Sequence, residues 1–273
     1  MKKVDSFNYC IVIGSSRGLG AAVVEEYIKM DLYNVIGVAR SKPVKISHYD
    51  KWIVSGKYRH IELDIASPKC IQVLKAVCSE LPHEPICVIF NAACIEKDIN
   101  SDNSINFSGV STIDFDTTKK INQVNIEGLV NVLAAFENHL LTYGGCFVGI
   151  SSLWGITPPL FLPWLAYPAS KAYLNLALKC LRAAWYKRVT VISINIGKVG
   201  GSGSNLLSRW ILPTYEMTAQ KIVRKLSRKK ISKEINYPLW HAFVYKYILR
   251  FAPDIFYLLL FRLYFKIEHL FRK

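Results

Sequence analysis

The segment Tyr167-Pro168-Ala169-Ser170-Lys171 sets a phenol and an amine four residues apart. On an α-helix, positions i and i+4 share a face, so the ammonium of Lys171 would stand beside the ring of Tyr167. A free phenol has a pKa of about 10 and is a poor base near neutrality. A neighbouring positive charge favours the phenolate. Tyr167 would then hand a proton to a carbonyl oxygen, or take one from an alcohol, with Lys171 tuning it. Spacing alone is weak evidence, because amphipathic helices place Tyr and Lys at i+4 by chance. The rest of the chain decides what the pair means.

Far upstream, Gly14-Ser15-Ser16-Arg17-Gly18-Leu19-Gly20 lies between an apolar run, Tyr9–Ile13, and a helical pattern, Leu19–Met30. Strand, glycine-rich turn and helix in that order form a place for a dinucleotide. Glycine permits the tight turn and lets the backbone approach a pyrophosphate, which then faces a helix N-terminus. Arg40 follows the second apolar run, Asn34–Ala39, where dinucleotide folds choose between cofactors. An acidic residue there would accept from a ribose 2′-OH; an arginine suits a 2′-phosphate, and Arg17 is placed to join it. NADP(H) is therefore expected over NAD(H). The plainer alternative is two solvated arginines on loops.

Around these residues, apolar runs alternate with helical patterns. Strands are expected at Arg59–Leu63, Ile86–Phe90, Gly145–Ile150 and Thr190–Ile196, with a short seventh at Ile235–Tyr237. Helices are expected at Lys69–Leu81, Thr117–Leu141 and Tyr167–Tyr186. Alternation of this kind predicts an α/β chain in three layers: a Rossmann-type, doubly wound parallel sheet between helices. Residues 1–238 read as one domain, and 239–273 as a basic, amphipathic helical extension.

The G-x-x-x-G-x-G spacing of the turn, together with Tyr167-x-x-x-Lys171, resembles the short-chain dehydrogenase/reductase family, in its NADP-preferring oxidoreductase branch. The resemblance spans roughly residues 9 to 238. It implies Ser152 as the serine that hydrogen-bonds the substrate oxygen. It implies Asn125 as the helix asparagine supporting a water between Lys171 and solvent. For the cofactor it implies Gly14, Ser16, Arg17, Gly18, Leu19 and Gly20 in the turn, Asp64 and Ile65 at the adenine edge, and Asn91, Ala92 and Ala93 beside the ribose side. Ile196, Gly197 and Val199 would meet the nicotinamide carboxamide. Four positions depart from the family pattern: Ile13 for Thr, Phe90 for Asn, Ala93 for Gly and Ile196 for Pro.

The implied reaction is hydride transfer between nicotinamide and a carbonyl or alcohol carbon. The partner would be a small, lipophilic substrate held near the loop 153–166, which carries Trp154 and Trp164, and under a flap running from Gly200 to Leu212; packing of that loop against a second subunit or the C-terminal extension is the equal alternative. The alternative is a non-catalytic NADP(H)-binding sensor or scaffold with the same fold. Like its relatives, the chain is expected to form a dimer or tetramer.

Composition sets the outer limits. With 51% hydrophobic residues and 20% charged, 273 residues can bury a large core. Seven cysteines without a C-x-x-C pair read as reduced thiols, with no metal site, in a cytoplasmic setting. No run reaches 18 apolar residues free of charge, so no spanning helix is expected. From Arg209 onward, fourteen Lys/Arg face four Asp/Glu, within a net charge of +15. Arg262, Lys266, His269 and Lys273 form a basic stripe opposite Phe256, Leu260, Leu263, Ile267, Leu270 and Phe271. Such a helix suits a membrane surface as a peripheral anchor; docking on its own domain or on a second subunit is the other reading. Nucleic acid is not expected as a partner, because no recognition module accompanies the charge.

Overall fold

The computed structural model describes residues 7–31, 33–43, 49–95, 114–159, 165–199, 212–228, 231–252, 254–260 and 262. Seven parallel strands form one sheet: β1 (Tyr9–Ile13), β2 (Asn34–Ala39), β3 (Tyr58–Glu62), β4 (Ile86–Phe90), β5 (Gly145–Ser152), β6 (Thr190–Ile196) and β7 (Glu234–Tyr237). Their order across the sheet is β3-β2-β1-β4-β5-β6-β7. The direction of winding reverses between β1 and β4, and a crevice at such a switch point is where ligands bind in open α/β sheets.

The inner strands β1 and β4 read as unbroken apolar runs because both faces are covered, whereas the edge strands β3 and β7 carry Arg59, His60, Glu62, Glu234 and Asn236. Along β1, Cys10 and Val12 enter one hydrophobic cluster while Ile11 and Ile13 enter the other. On the first face, Val23, Val24 and Tyr27 of α1 (Gly18–Lys29) pack beside Ile222, Val223 and Leu226 of α7 (Tyr215–Leu226). On the second lie α3 (Cys70–Glu80), α5 (Gly128–Tyr143) and α6 (Ala166–Ala184), through Leu74, Val132, Phe136, Leu174 and Leu178. Strand β6 departs from the all-apolar pattern at Ser193 and Asn195. Arg182 of α6 donates to the Ser193 hydroxyl at 3.2 Å, and Asn195 Nδ2 donates to Asn236 Oδ1 at 2.9 Å, whereas the buried Asn195 Oδ1 has no partner among the described residues.

Cysteine usage follows the same geometry. Register brings Cys10, Cys87 and Cys146 side by side on three neighbouring strands, all buried and all unbridged. Burial pushes the Cys87 thiol well above its ordinary pKa, which holds it protonated.

The expected elements are found: β1, β2, β4 and β6 have the expected ends, and the others are shifted. The long helix begins earlier than Thr117 and is not uniform. It comprises α4 (Phe115–Asn122), a π turn at Gln123–Glu127 and then α5. Asp114 caps its start, accepting from Asp116 N at 3.1 Å and from the Thr117 hydroxyl. Strand β5 runs two residues further than expected, which takes Ser151 and Ser152 into the sheet. A short α2 (Tyr49–Val54) was not foreseen; six residues are too few to show a period. The third strand ends at Glu62, so Asp64 lies beyond it in a turn, accepting from Ala66 N at 3.0 Å.

After β7 come α8 (Leu239–Phe243), a π turn at Val244–Ile248 and a 3-10 turn at Leu249–Phe251; residues 254–260 are again helical. Of the basic stripe, only Arg262 belongs to the described residues. The flap from Gly200 lies outside them up to residue 211, as does the part of the aromatic loop at 160–164. Among the described residues, no helix is long and apolar enough to cross a membrane.

Candidate active site

The turn after β1 is built by close approach. Gly14 has φ +85°, and a Cβ on it would stand 2.7 Å from the Ala92 nitrogen. Only glycine meets both demands. Backbone bonds hold the turn in place: Gly14 N donates to Val38 O at 2.7 Å, and Asn91 N to Ile13 O at 2.9 Å. The Asn91 side chain adds a third, donating to Gly14 O at 3.2 Å. Asn91 thus braces the turn, and its neighbour Ala92 walls it.

The N-cap residue of α1, Arg17, makes no capping bond through its side chain, and the first turn of α1 holds no acidic residue. The positive end of the helix is therefore left for an anion. Ser16, Gly18 and Leu19 are half-buried, Gly20 is buried, and Arg17 and Arg40 are exposed at the ends of neighbouring strands. The Ser15 hydroxyl, which the sequence reading passed over, is fully buried and lacks a partner among the described residues. A glycine cradle, an open helix N-terminus and flanking arginines fit a nicotinamide dinucleotide. Asp64 and Ala93 are exposed nearby in the chain, and Ile65 is buried with its carbonyl accepting from Asn131 at 2.9 Å.

On the catalytic side, α6 carries Tyr167 in its first turn and Lys171 one turn later. Lys171 is 3% exposed; its Nζ donates to Ile150 O at 3.1 Å and stands 5.6 Å from the centre of the Tyr167 ring. Burial lowers its pKa from the ordinary lysine value to about 8. The two serines of β5 divide their tasks. Ser151 donates into the backbone of α6, to Lys171 O at 3.2 Å, whereas the Ser152 hydroxyl accepts from Trp154 N at 3.2 Å. Ser152 is therefore the one placed at the strand's end beside the aromatic turn. There Trp154 lies edge-on to Tyr167, with ring centres 6.2 Å apart.

Asn125 sits inside the π turn and is 2% exposed. Its Oδ1 accepts from Cys94 N at 2.7 Å, and its Nδ2 donates to Cys94 O at 3.0 Å and to Ser170 Oγ at 2.9 Å. Ser170 Oγ in turn donates to Tyr167 O at 2.8 Å. The asparagine side chain is thus fully engaged in joining the end of β4 to the start of α6. Ser170 was overlooked as a site residue, although its place three residues after Tyr167 is the signal.

A third wall comes from the C-terminal segment, which the sequence had set apart as an extension. Gly197 N donates to Tyr237 O at 2.7 Å. The ring of His241 fills the space where a Gly197 side chain would be: a Cβ there would lie 2.6 Å from Nδ1. Trp154 Nε1 donates to the Tyr245 hydroxyl at 3.4 Å, and Lys246 pairs with Glu234 at 2.7 Å. Ile196 is buried; Gly197 and Val199 are half-buried at the same end of β6. Glycine turn, Tyr167, Lys171, Ser152, Asn125 and Gly197 all lie at the carboxyl ends of β1, β4, β5 and β6 or on the helices that follow.

The profile of the short chain dehydrogenase family matches residues 8–209. No curated protein sequence matches the chain. Among solved structures, a short-chain dehydrogenase/reductase from Saccharomyces cerevisiae superposes with a TM-score of 0.65 at 21% identity, covering 85% of this chain and 96% of that one. A short-chain dehydrogenase from Burkholderia cenocepacia in complex with NADP gives 0.61 at 20%, over 86% and 89%. Serine dehydrogenase from Escherichia coli gives 0.62 at 16%, over 84% and 96%.

Proposed function

Because the chain belongs to the short chain dehydrogenase family, whose members are nicotinamide-dependent oxidoreductases of alcohols and carbonyls, we propose that it is an NADP(H)-dependent carbonyl reductase or alcohol dehydrogenase. The observation that carries this reading is the buried Lys171 amine beside Tyr167, with Ser152 at the end of the adjacent strand. Bound nicotinamide supplies or accepts the hydride. Tyr167 moves the proton at the substrate oxygen. Lys171, positively charged near neutrality, favours the phenolate and would hold the cofactor's ribose. The Ser152 proton is directed at the same oxygen, since its lone pair already receives Trp154 N. Asn125 positions the helix that carries Tyr167 through its bond to Ser170.

Cofactor choice rests on Arg17 and Arg40. No acidic residue stands at position 40 to receive a ribose 2′-OH, and two exposed guanidinium groups flank the turn for a 2′-phosphate. The edge-on pair Trp154–Tyr167, backed by Tyr245, supports a lipophilic substrate. Self-association is supported by Val130 of α5 and Tyr173 and Leu176 of α6, exposed apolar groups on neighbouring helices. The remaining partner in this reading is a membrane surface, met peripherally.

The test is steady-state kinetics against a carbonyl panel. Tyr167→Phe should lose on the order of 10³-fold in turnover while still quenching NADPH fluorescence. Arg17→Ala/Arg40→Ala should lose about 100-fold in kcat/KM with NADPH and little with NADH. Retained turnover in the first variant refutes the mechanism; equal losses with both cofactors in the second refute the NADP(H) assignment.

A further inference from the structure

The segment after β7 is apolar on two sides. Ala242 and Leu249 are buried against the domain. Trp240, Phe243, Tyr247 and Phe251 are each more than half exposed and recur at steps of three and four residues; Ile255 and Leu259, likewise more than half exposed, follow beyond the extended Ala252. A run of large apolar side chains in water on one stretch of chain marks a surface that something covers. We propose that this outward face of residues 239–259 docks on an anionic lipid surface. The proposal extends the peripheral association described above and is independent of the catalytic chemistry.

Charge selects the occupant. Arg250 and Arg262 are exposed beside the apolar residues, and Asp254 is the one acidic residue between them. Basic residues outnumber acidic ones fourteen to four from Arg209 onward. A second copy of the chain would set two faces of the same net positive sign against each other, which disfavours pairing through this face. Lipid headgroups of opposite sign attract them. The side chains also suit an interface: Trp240 and Tyr247 have apolar bodies and polar tips, the amphipathic form enriched at headgroup level. No helix among the described residues crosses a membrane, so the chain would lie on the surface rather than span it.

The experiment is co-flotation of the full chain with vesicles of phosphatidylcholine alone or mixed with phosphatidylglycerol, alongside sedimentation without lipid. Each basic residue near an anionic surface contributes roughly five-fold to binding, and Asp254 offsets one of the two arginines, so the mixed vesicles should be preferred by about five-fold. That preference should fall in high salt. Phe243→Ser/Phe251→Ser should abolish flotation while leaving the far-UV spectrum unchanged, and Arg250→Gln/Arg262→Gln should remove the lipid preference. Three results would each overturn the proposal: no flotation on mixed vesicles, equal flotation after the phenylalanine pair is changed, or a non-floating dimer that the same pair dissociates. Catalysis is not read by any of these arms, so a failure here leaves the oxidoreductase reading standing, and the reverse holds too.

Discussion

Replacing Lys171 by Met should make the protein more stable and nearly inactive at once. In the folded chain the Lys171 pKa lies at about 8, against an ordinary value of 10.5. Near pH 7 the side chain is ionised in both folded and unfolded states. Holding that charge in a 3%-exposed position therefore costs about 3 kcal/mol. Methionine fills a similar volume without the charge. It also abandons the bond to Ile150 O, and an unsatisfied buried carbonyl costs roughly 1–3 kcal/mol. The net expectation is a gain of about 1 kcal/mol, or roughly 2–4 °C in Tm for a chain of this size. The pH dependence has a definite sign. Between about pH 8 and 10.5 the unfolded state binds more protons at this site than the folded state, so wild-type stability gains from Lys171 as pH rises. The Lys171→Met variant lacks that gain, and its advantage should shrink across this window. Thermal melts at pH 7 and pH 9.5, with turnover measured in parallel, check both halves. A variant less stable than wild type at pH 7, with a gap that does not move with pH, would refute the burial argument.

Two further perturbations probe the supports of the site. Asn125→Ala strands the Cys94 N–H and carbonyl and cuts the tie to Ser170, which should cost about 2–3 kcal/mol in a urea unfolding curve. It should also lower kcat more than it raises KM. Gly197→Ala drives a methyl group to within 2.6 Å of His241 Nδ1, at a cost of about 1–3 kcal/mol. Adding His241→Ala should recover most of that loss, and a double variant no better than the single one would show that the contact is not what excludes a side chain.

The sheet was legible because parallel strands covered on both faces are apolar, as β1 and β4 are throughout and β5 is up to Ile150. The glycine turn was legible because its backbone demands a residue without Cβ. Lys171 and Tyr167 announced themselves by helical spacing. Other parts depend on contacts that no local pattern carries. The π turn around Asn125 is a backbone departure whose purpose, a two-way clamp on Cys94, lies 31 residues away in the chain. The contact of Trp154 with Tyr245 spans 91 residues. Tyr245 and Trp240 are both aromatics in a basic tail, which no local pattern tells apart. Packing separates them: Tyr245 turns toward the domain, and Trp240 is 51% exposed. The third strand shows a smaller shift: it ends at Glu62, one residue before the expected Leu63.

The attachment of the C-terminal segment limits how the protein can be handled. His241 and Tyr245 reach back to Gly197 and to the turn beyond Ser152, while Lys246 fastens the same stretch to β7. A deletion chosen to strip the exposed apolar side chains before purification would also unseat a wall of the catalytic cleft. Loss of activity in such a fragment would then be misread as evidence for an obligatory lipid cofactor. Solubilising point changes on the outer side chains, rather than shortening, keep the two effects apart.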